Sequence, residues 1–362
     1  MKAGIIGLSL CGKTTLFNIL TGRNVETGGY SGGSGPNVGI VKVPDDRIDF
    51  LSSVFQPKKT TYAAIEYVDV AGLSQGSVRD GGSGSQLLAH VRNVDIIIHV
   101  VRAFTSEHVP VPEDGLDPLR DIETLDLELM LADLAIAEKR IEKLQADIKK
   151  KGQKDSEMEL QLMTRLAACL EQEQPVRQIE LTEDEERLLR GYQFLTAKPM
   201  LVVLNISEDE IQDSEAYRDI VANNGAHGVP TVLLSAEIES EIAQLEEKED
   251  IDAFMQDMGI AELSLTRLIR SSYELLGLIS FFTVGADEVR AWTITRNTKA
   301  AQAAGVIHSD LERGFIRAEI LSYDDFLKYE TFAKAKQHGV LRVEGKEYLV
   351  HDGDIMNVRF NV

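Results

Sequence analysis

Only two cysteines occur in 362 residues, Cys11 and Cys169, which excludes a disulfide framework and points to a reducing, cytoplasmic setting. No apolar run approaches the roughly 20 residues that a membrane span requires, and no targeting segment is recognisable, so the expectation is a soluble chain with no membrane partner. Basic residues are in short supply: 38 Lys and Arg stand against 59 Asp and Glu, for a net charge of −21. That deficit excludes non-specific nucleic-acid binding by the whole surface, because phosphate contacts need Lys and Arg. Any RNA contact must use a local basic face. Internal repeats and low-complexity tracts are lacking apart from Gly28–Gly35, where five glycines in eight residues predict a flexible loop. A hydrophobic content of 43% is that of an ordinary globular protein, and the length allows two or three domains.

What is present is a phosphate-binding pattern. Gly7-Leu8-Ser9-Leu10-Cys11-Gly12-Lys13-Thr14 fits G-x-x-x-x-G-K-[ST], with the apolar Ala3-Gly4-Ile5-Ile6 before it and the helix-like Thr15-Leu16-Phe17-Asn18-Ile19-Leu20 after it. Residues Gly7 to Thr15 are therefore expected to wrap nucleotide phosphates with backbone N–H groups at a helix N-terminus. Lys13 is expected to neutralise the β/γ charge and so take part in catalysis, and the Thr14 hydroxyl to reach Mg2+. Asp69-Val70-Ala71-Gly72 ends an apolar strand as D-x-x-G. Its aspartate holds Mg2+ through water and its glycine N–H senses the γ-phosphate. The next residue, Leu73, has no polar atom with which to orient the attacking water, so hydrolysis must be slow or use another group.

Asn205-Ile206-Ser207-Glu208 follows the strand-like Val202-Val203-Leu204, where a guanine-specific site carries N-K-x-D. A glutamate one methylene longer than aspartate, with Ile206 in place of lysine, spoils the two-point clamp on guanine, so guanine preference is not expected. The same residues also fit a helix-capping pair. Ser235-Ala236-Glu237, after Val232-Leu233-Leu234, stands where backbone N–H groups would meet the base. Cys11 reads either as a small spacer or as a thiol activated by Lys13 and the helix N-terminus.

Apolar strands alternating with helical patterns run to about residue 104 and resume at Met200–Leu204 and Thr231–Leu234, as in a doubly wound parallel sheet. Between them, Met130, Leu134, Ala137, Ile141, Leu144 and Ile148 recur at spacings of four and three, and Leu160, Met163, Ala167 and Leu170 repeat the pattern after Lys151-Gly152. An antiparallel helical hairpin, projecting as an arm, is predicted. From Leu278 a glycine-punctuated, strand-rich segment fits a small mixed α/β domain.

Taken together, these motifs resemble the YchF family of Obg-related P-loop NTPases over nearly the whole chain. The resemblance is carried by Asp69-Val70-Ala71-Gly72-Leu73, by Asp117-Pro118-Leu119-Arg120-Asp121-Ile122-Glu123, by Asn205 with Glu208, and by Ser280–Thr283, Arg290–Ile294 and Ala304–Asp310. It implies an α/β P-loop NTPase fold with an inserted coiled-coil arm and a C-terminal β-grasp (TGS) domain. The corresponding bounds are 1–124 and 194–278 for the nucleotide-binding domain, 125–193 for the arm and 279–362 for the TGS domain. It also implies a switch protein that binds and slowly hydrolyses ATP in preference to GTP, and that associates with the ribosome or ribosomal RNA through arm and TGS domain.

Two departures from the family pattern stand out. Ser9-Leu10-Cys11 replaces the family's Pro-Asn-Val, and the first switch reads Tyr30-Ser31-Gly32-Gly33-Ser34-Gly35-Pro36-Asn37, with Ser34 the one hydroxyl near the position of the metal-binding threonine. His108 resembles the family's loop histidine, a candidate for assisting hydrolysis or else a solvated loop residue. The basic residues of the arm (Lys139, Arg140, Lys143, Lys149 to Lys151, Lys154) and of the C-terminal segment (Arg290, Arg296, Lys299, Arg313, Arg317) read as a solvated surface or as a local groove for RNA. Two further functional readings stay open: a GTPase of relaxed base specificity, and a nucleotide-binding scaffold with little turnover.

Overall fold

The computed structural model describes residues 1–23, 25, 36–70, 83–112, 114–151, 154–212, 214–245 and 247–361. Its strands, in chain order, are β1 (Lys2–Ile6), β2 (Asn37–Lys42), β3 (Lys59–Thr61), β4 (Ala64–Asp69), β5 (Ile96–Arg102), β6 (Met200–Asn205), β7 (Thr231–Leu234), β8 (Leu278–Thr283), β9 (Glu288–Thr295), β10 (Phe315–Ser322), β11 (Arg342–Glu344) and β12 (Asp354–Phe360). Helices α1 (Lys13–Thr21), α2 (Asp46–Phe55), α3 (Ser83–Arg92), α4 (Pro118–Lys151) and α5 (Lys154–Glu171) are the first five. The chain divides into two compact units, one of Met1–Gly39 with Glu66–Leu268, the other of Ile40–Ile65 with Ile269–Val362.

The first unit is built on a sheet of order β2-β4-β1-β5-β6-β7. The pairs β4–β1, β1–β5, β5–β6 and β6–β7 are all parallel. Every residue of β5 and β6 is buried, which is why both are apolar apart from His99 and the closing Arg102 and Asn205: helices cover a parallel sheet on both faces. Strand order steps outward from β1 in both directions, and β1 delivers its C-terminal end to the phosphate loop, as a switch point in an open α/β sheet does.

The arm forms along the expected seam. Met130, Leu134, Ala137, Ile141 and Leu144 of α4 pack with Leu160, Met163, Leu166, Ala167 and Leu170 of α5 in one cluster, which does not include Ile148. Arg140 grips Glu159 from Nε and Nη2, each at 2.8 Å. The arm's root is fastened by Asp133, which is fully buried on α4. Its carboxylate accepts from Leu195 N (2.9 Å), Thr196 N (2.7 Å) and Thr196 Oγ1 (2.8 Å). Arg92, at the end of α3, reaches the same carboxylate at 3.5 Å.

One buried polar group sits in the middle of β5. His99 is completely buried, and burial together with the charges of Arg177 and Lys13 pushes its pKa down to about 3 from 6.5. The folded state holds it neutral, while the unfolded chain takes up a proton below 6.5. The stability this residue confers is therefore complete above that pH and lost as pH falls towards about 3. Relative to His99→Leu, the wild type is expected to lose up to about 1.4 kcal/mol per pH unit across that window. Urea denaturation of both proteins at a series of pH values checks this, and parallel curves would refute it.

The second unit carries a mixed sheet of order β11-β10-β12-β8-β9-β3. Pairing is antiparallel for β10–β11, β10–β12 and β8–β9, and parallel for β12–β8 and β3–β9. Phe281, Ile294, Ala303, Ala318, Ile320 and Met356 form its core. Helix α2 belongs to this unit, with Phe55 stacked on Phe326 at 5.5 Å. Residues 40–65 thus join a unit whose remaining residues lie more than 200 positions downstream.

Candidate functional site

The chain leaves β1 in a turn that only glycine can make at two places. At Gly7 (φ +156°) a Cβ would meet the Val100 carbonyl oxygen at 2.2 Å, and at Gly12 (φ +96°) it would meet Asn205 Nδ2 at 2.4 Å. Leu10 also takes a left-handed backbone (φ +63°) with its side chain exposed. An asparagine tolerates that conformation more cheaply than a leucine does, so the family's residue here has a backbone reason as well as a polar one. Gly12 caps α1 without a side-chain hydrogen bond, so no capping side chain covers the positive end of the helix.

Lys13 is buried, and its ammonium donates to Leu8 O at 2.7 Å. Thr14 Oγ1 donates to Asp69 Oδ2 at 3.1 Å. The other carboxylate oxygen, Asp69 Oδ1, is buried and has no partner among the described residues. Burial raises the Asp69 pKa, while the hydrogen bond from Thr14, the charge of Lys13 and the nearby Asn37 amide act in the opposite sense. A carboxylate oxygen without a partner, beside a threonine hydroxyl at the end of a phosphate loop, is the donor set of a hard divalent cation. Ser9 is exposed and Thr15 half-buried in the same stretch. Cys11 is only 2% exposed, and burial raises its pKa despite the neighbouring Lys13. That environment favours the spacer reading, since it is the thiolate that reacts.

Asn205 ends β6 and ties two loops together. Its Nδ2 donates to Cys11 O at 3.1 Å, and its Oδ1 accepts from Ala236 N at 3.0 Å. Ser235 caps the helix Ala236–Ile242, and Glu237 is exposed in its first turn. The helix-capping pair weighed for Asn205 and Glu208 is instead Ser207 with Glu210, and Glu208 is exposed at the start of that turn. Ile206 is a core residue, 3% exposed. His108 is exposed in the loop after β5, its N–H donating to Ser106 Oγ at 3.2 Å. Gly72, Leu73, Ser34 and the glycine-rich segment lie outside the described residues.

The structure thus brings residues 7–15, Asp69, Asn205, Ser235 and Ala236 to one place. Asn37 and Arg102 were not singled out from sequence. Asn37 is near enough to act on Asp69, in the sense that lowers its pKa, and Arg102 holds the loop that carries His108. An arginine closing a strand that is apolar but for His99 was the available signal for the second.

Comparison with known proteins agrees with this geometry. Residues 2–164 match the family described as 50S ribosome-binding GTPase, and residues 278–361 match the C-terminal YchF GTPase family, described as a protein of unknown function. The chain is 44% identical to the ribosome-binding ATPase YchF of Bacillus subtilis (strain 168), with 100% of both chains covered. It is 40% identical to the protein of the same name from Escherichia coli O157:H7, covering 100% of this chain and 99% of that one. The structure of the Schizosaccharomyces pombe YchF GTPase superposes with a TM-score of 0.87 at 31% identity, covering 99% of this chain and 97% of that one. With its phosphate loop, its long helix α4 and its C-terminal unit in place, the chain belongs to the YchF family and is a P-loop nucleotide hydrolase.

Proposed function

We propose that this protein is a slow, Mg2+-dependent ATPase acting as a conformational switch, with GTP the poorer substrate, and that it associates with the ribosome through its helical arm and C-terminal unit. The observation that carries the nucleotide half is the left-handed turn at Gly12, without a side-chain cap, which gathers Lys13 and the N-terminal end of α1 beside the Thr14–Asp69 pair. In this reading residues 7–15 hold the phosphates, with Lys13 on the β/γ charge. Gly72 N–H senses the γ-phosphate, Ser34 supplies the first-switch hydroxyl, and His108 orients the attacking water or accepts its proton. Thr14 and Asp69 are the ligands through which Mg2+ would be held, and when bound the ion neutralises charge developing between the β- and γ-phosphates.

On the base side, Asn205, Ser235, Ala236 and Glu237 form the wall and Glu208 reaches in from solvent. The longer glutamate and a core-bound Ile206 leave the guanine clamp unmade, which supports adenine. The C-terminal unit is read as a TGS domain on the strength of its mixed sheet and the family resemblance. The relatives from B. subtilis and E. coli carry the name ribosome-binding ATPase. Exposed Lys139, Lys143 and Lys149 on the arm, with Arg313 and Arg317 on the C-terminal unit, supply local positive charge on an acidic chain.

Titrating non-hydrolysable ATP and GTP analogues side by side, with single-turnover phosphate release measured with and without ribosomes, tests the reading. The ATP analogue is expected to bind about tenfold or more tightly, and release to be slow but faster on ribosomes. Equal or tighter binding of the GTP analogue would overturn the base assignment. Ribosome binding that does not weaken with added salt would overturn the RNA contact.

A further inference from the structure

A single side chain makes three hydrogen bonds to the loop that carries His108. Arg102 is the last residue of β5, is 4% exposed, and takes part in no ion pair among the described residues. Its three nitrogens are spent on carbonyls from both ends of the following loop. Nε donates to Phe104 O at 3.2 Å, Nη2 to Val109 O at 3.0 Å and Nη1 to Pro110 O at 2.8 Å. The guanidinium also lies 4.8 Å from the centroid of the Phe104 ring. Burying a cation whose hydrogen bonds all go to neutral carbonyls, with the Asp121 carboxylate near enough to act on it but not paired to it, is costly. A fold that retains such an arrangement obtains geometry from it, because the planar fork of arginine fixes several acceptors at once where an ammonium is only a point charge.

Between those anchors Thr105 N donates to Ser207 Oγ at 3.3 Å, and the loop adds two contacts of its own. Ser106 O accepts from Val109 N at 3.3 Å, and Ser106 Oγ accepts from His108 N at 3.2 Å. Its first residue is fixed from the other side, since Ala103 N donates to Asn205 O at 2.8 Å and Tyr217 OH donates to Ala103 O at 3.3 Å. Arg102 itself pairs across the ladder with Asn205, whose side chain holds the phosphate loop. The clamp therefore starts on the residue opposite the one that braces the nucleotide site, and closes over the segment on which the histidine is mounted.

We propose that Arg102 is a positioning residue for nucleotide hydrolysis, clamping residues 103–110 so that His108 is presented from a fixed loop. The proposal rests on the assignment of His108 to hydrolysis made above. A misplacement of the order of an ångström in a catalytic group costs rate without costing substrate affinity, so the two parameters separate the clamp from general damage.

The test uses the full-length protein with ATP. Arg102→Gln is expected to lower kcat about tenfold while KM and the ATP-analogue Kd stay within about twofold, and to speed hydrogen exchange at the Val109 amide. Arg102→Lys, which keeps the charge but not the fork, is expected to recover only part of the rate. The double variant Arg102→Gln/His108→Ala should turn over no more slowly than His108→Ala alone, because Arg102 acts through the histidine. Losses that multiply in the double variant overturn the proposal, as does an unchanged kcat in Arg102→Gln. His108→Ala at the wild-type rate overturns the histidine assignment and this proposal with it. Unchanged exchange at Val109 in Arg102→Gln overturns the clamp alone.

Discussion

Lys13→Ala is expected to lower ATP turnover by about 10²–10³-fold, the loss typical of removing one preorganised charge from developing anionic oxygens. The side chain is buried at the start of α1, and its ammonium rests on Leu8 O at 2.7 Å, within the loop it serves. No carboxylate contacts the ammonium among the described residues, so its charge is available to a phosphate rather than already spent. Binding should suffer more for ATP than for ADP, because the ammonium addresses the β- and γ-phosphates together. Parallel calorimetric titrations of the two nucleotides, followed by single-turnover phosphate release, measure both effects. Equal losses for ATP and ADP would place Lys13 away from the γ-phosphate, and undiminished turnover would remove it from the machinery.

Asp133→Ala is expected to be the most damaging change outside the nucleotide site, costing about 3–5 kcal/mol because it breaks a buried ionic network by removing one partner. Two backbone N–H groups, a threonine hydroxyl and the Arg92 guanidinium all converge on this one fully buried carboxylate. Removing it leaves the two amides and the hydroxyl inside the protein with no carboxylate to donate to, while Arg92 keeps only Gln193 O at 3.1 Å, and each unsatisfied group carries its own desolvation penalty. Thr196, which loses two of these bonds, also receives Val176 N at 3.2 Å on its hydroxyl and Arg177 N at 2.9 Å on its carbonyl. The damage should therefore spread to the segment returning from α5. Asp133→Asn keeps one acceptor but adds an amide donor among donors, so it should fall between. Urea unfolding of the three proteins orders them, and a loss under about 1 kcal/mol for the alanine variant would show that the network is not what fastens the arm.

Much of the nucleotide site is contiguous chemistry and can be read without coordinates. A phosphate loop needs its glycines, its lysine and its hydroxyl within eight positions, between a buried strand and a helix, and that strand-loop-helix context lies in the same short window. The arm is legible for a similar reason: a seam between two helices repeats every three or four residues, and Met130 to Leu144 with Leu160 to Leu170 satisfy it over many turns. Glu208 was harder, because N-x-x-E in isolation fits a cap or a base site equally well. Only the observation that Ser207 and Glu210 make the cap released it from that role.

What the sequence determined by itself is therefore the class of ligand and the kind of element that holds it: a triphosphate at the N-terminus of a helix, on a buried parallel sheet, with a helical hairpin inserted. Those properties depend on neighbours in the chain and on periodicity. The tertiary structure alone decided which distant residues brace the site. Asn205 meets Cys11 across 194 positions, Asp133 meets Thr196 across 63, and residues 40–65 join the C-terminal unit rather than the one whose sequence surrounds them. Such pairings arise from how buried polar groups find partners once the apolar faces have packed, and no local pattern announces which donor will be left facing which acceptor.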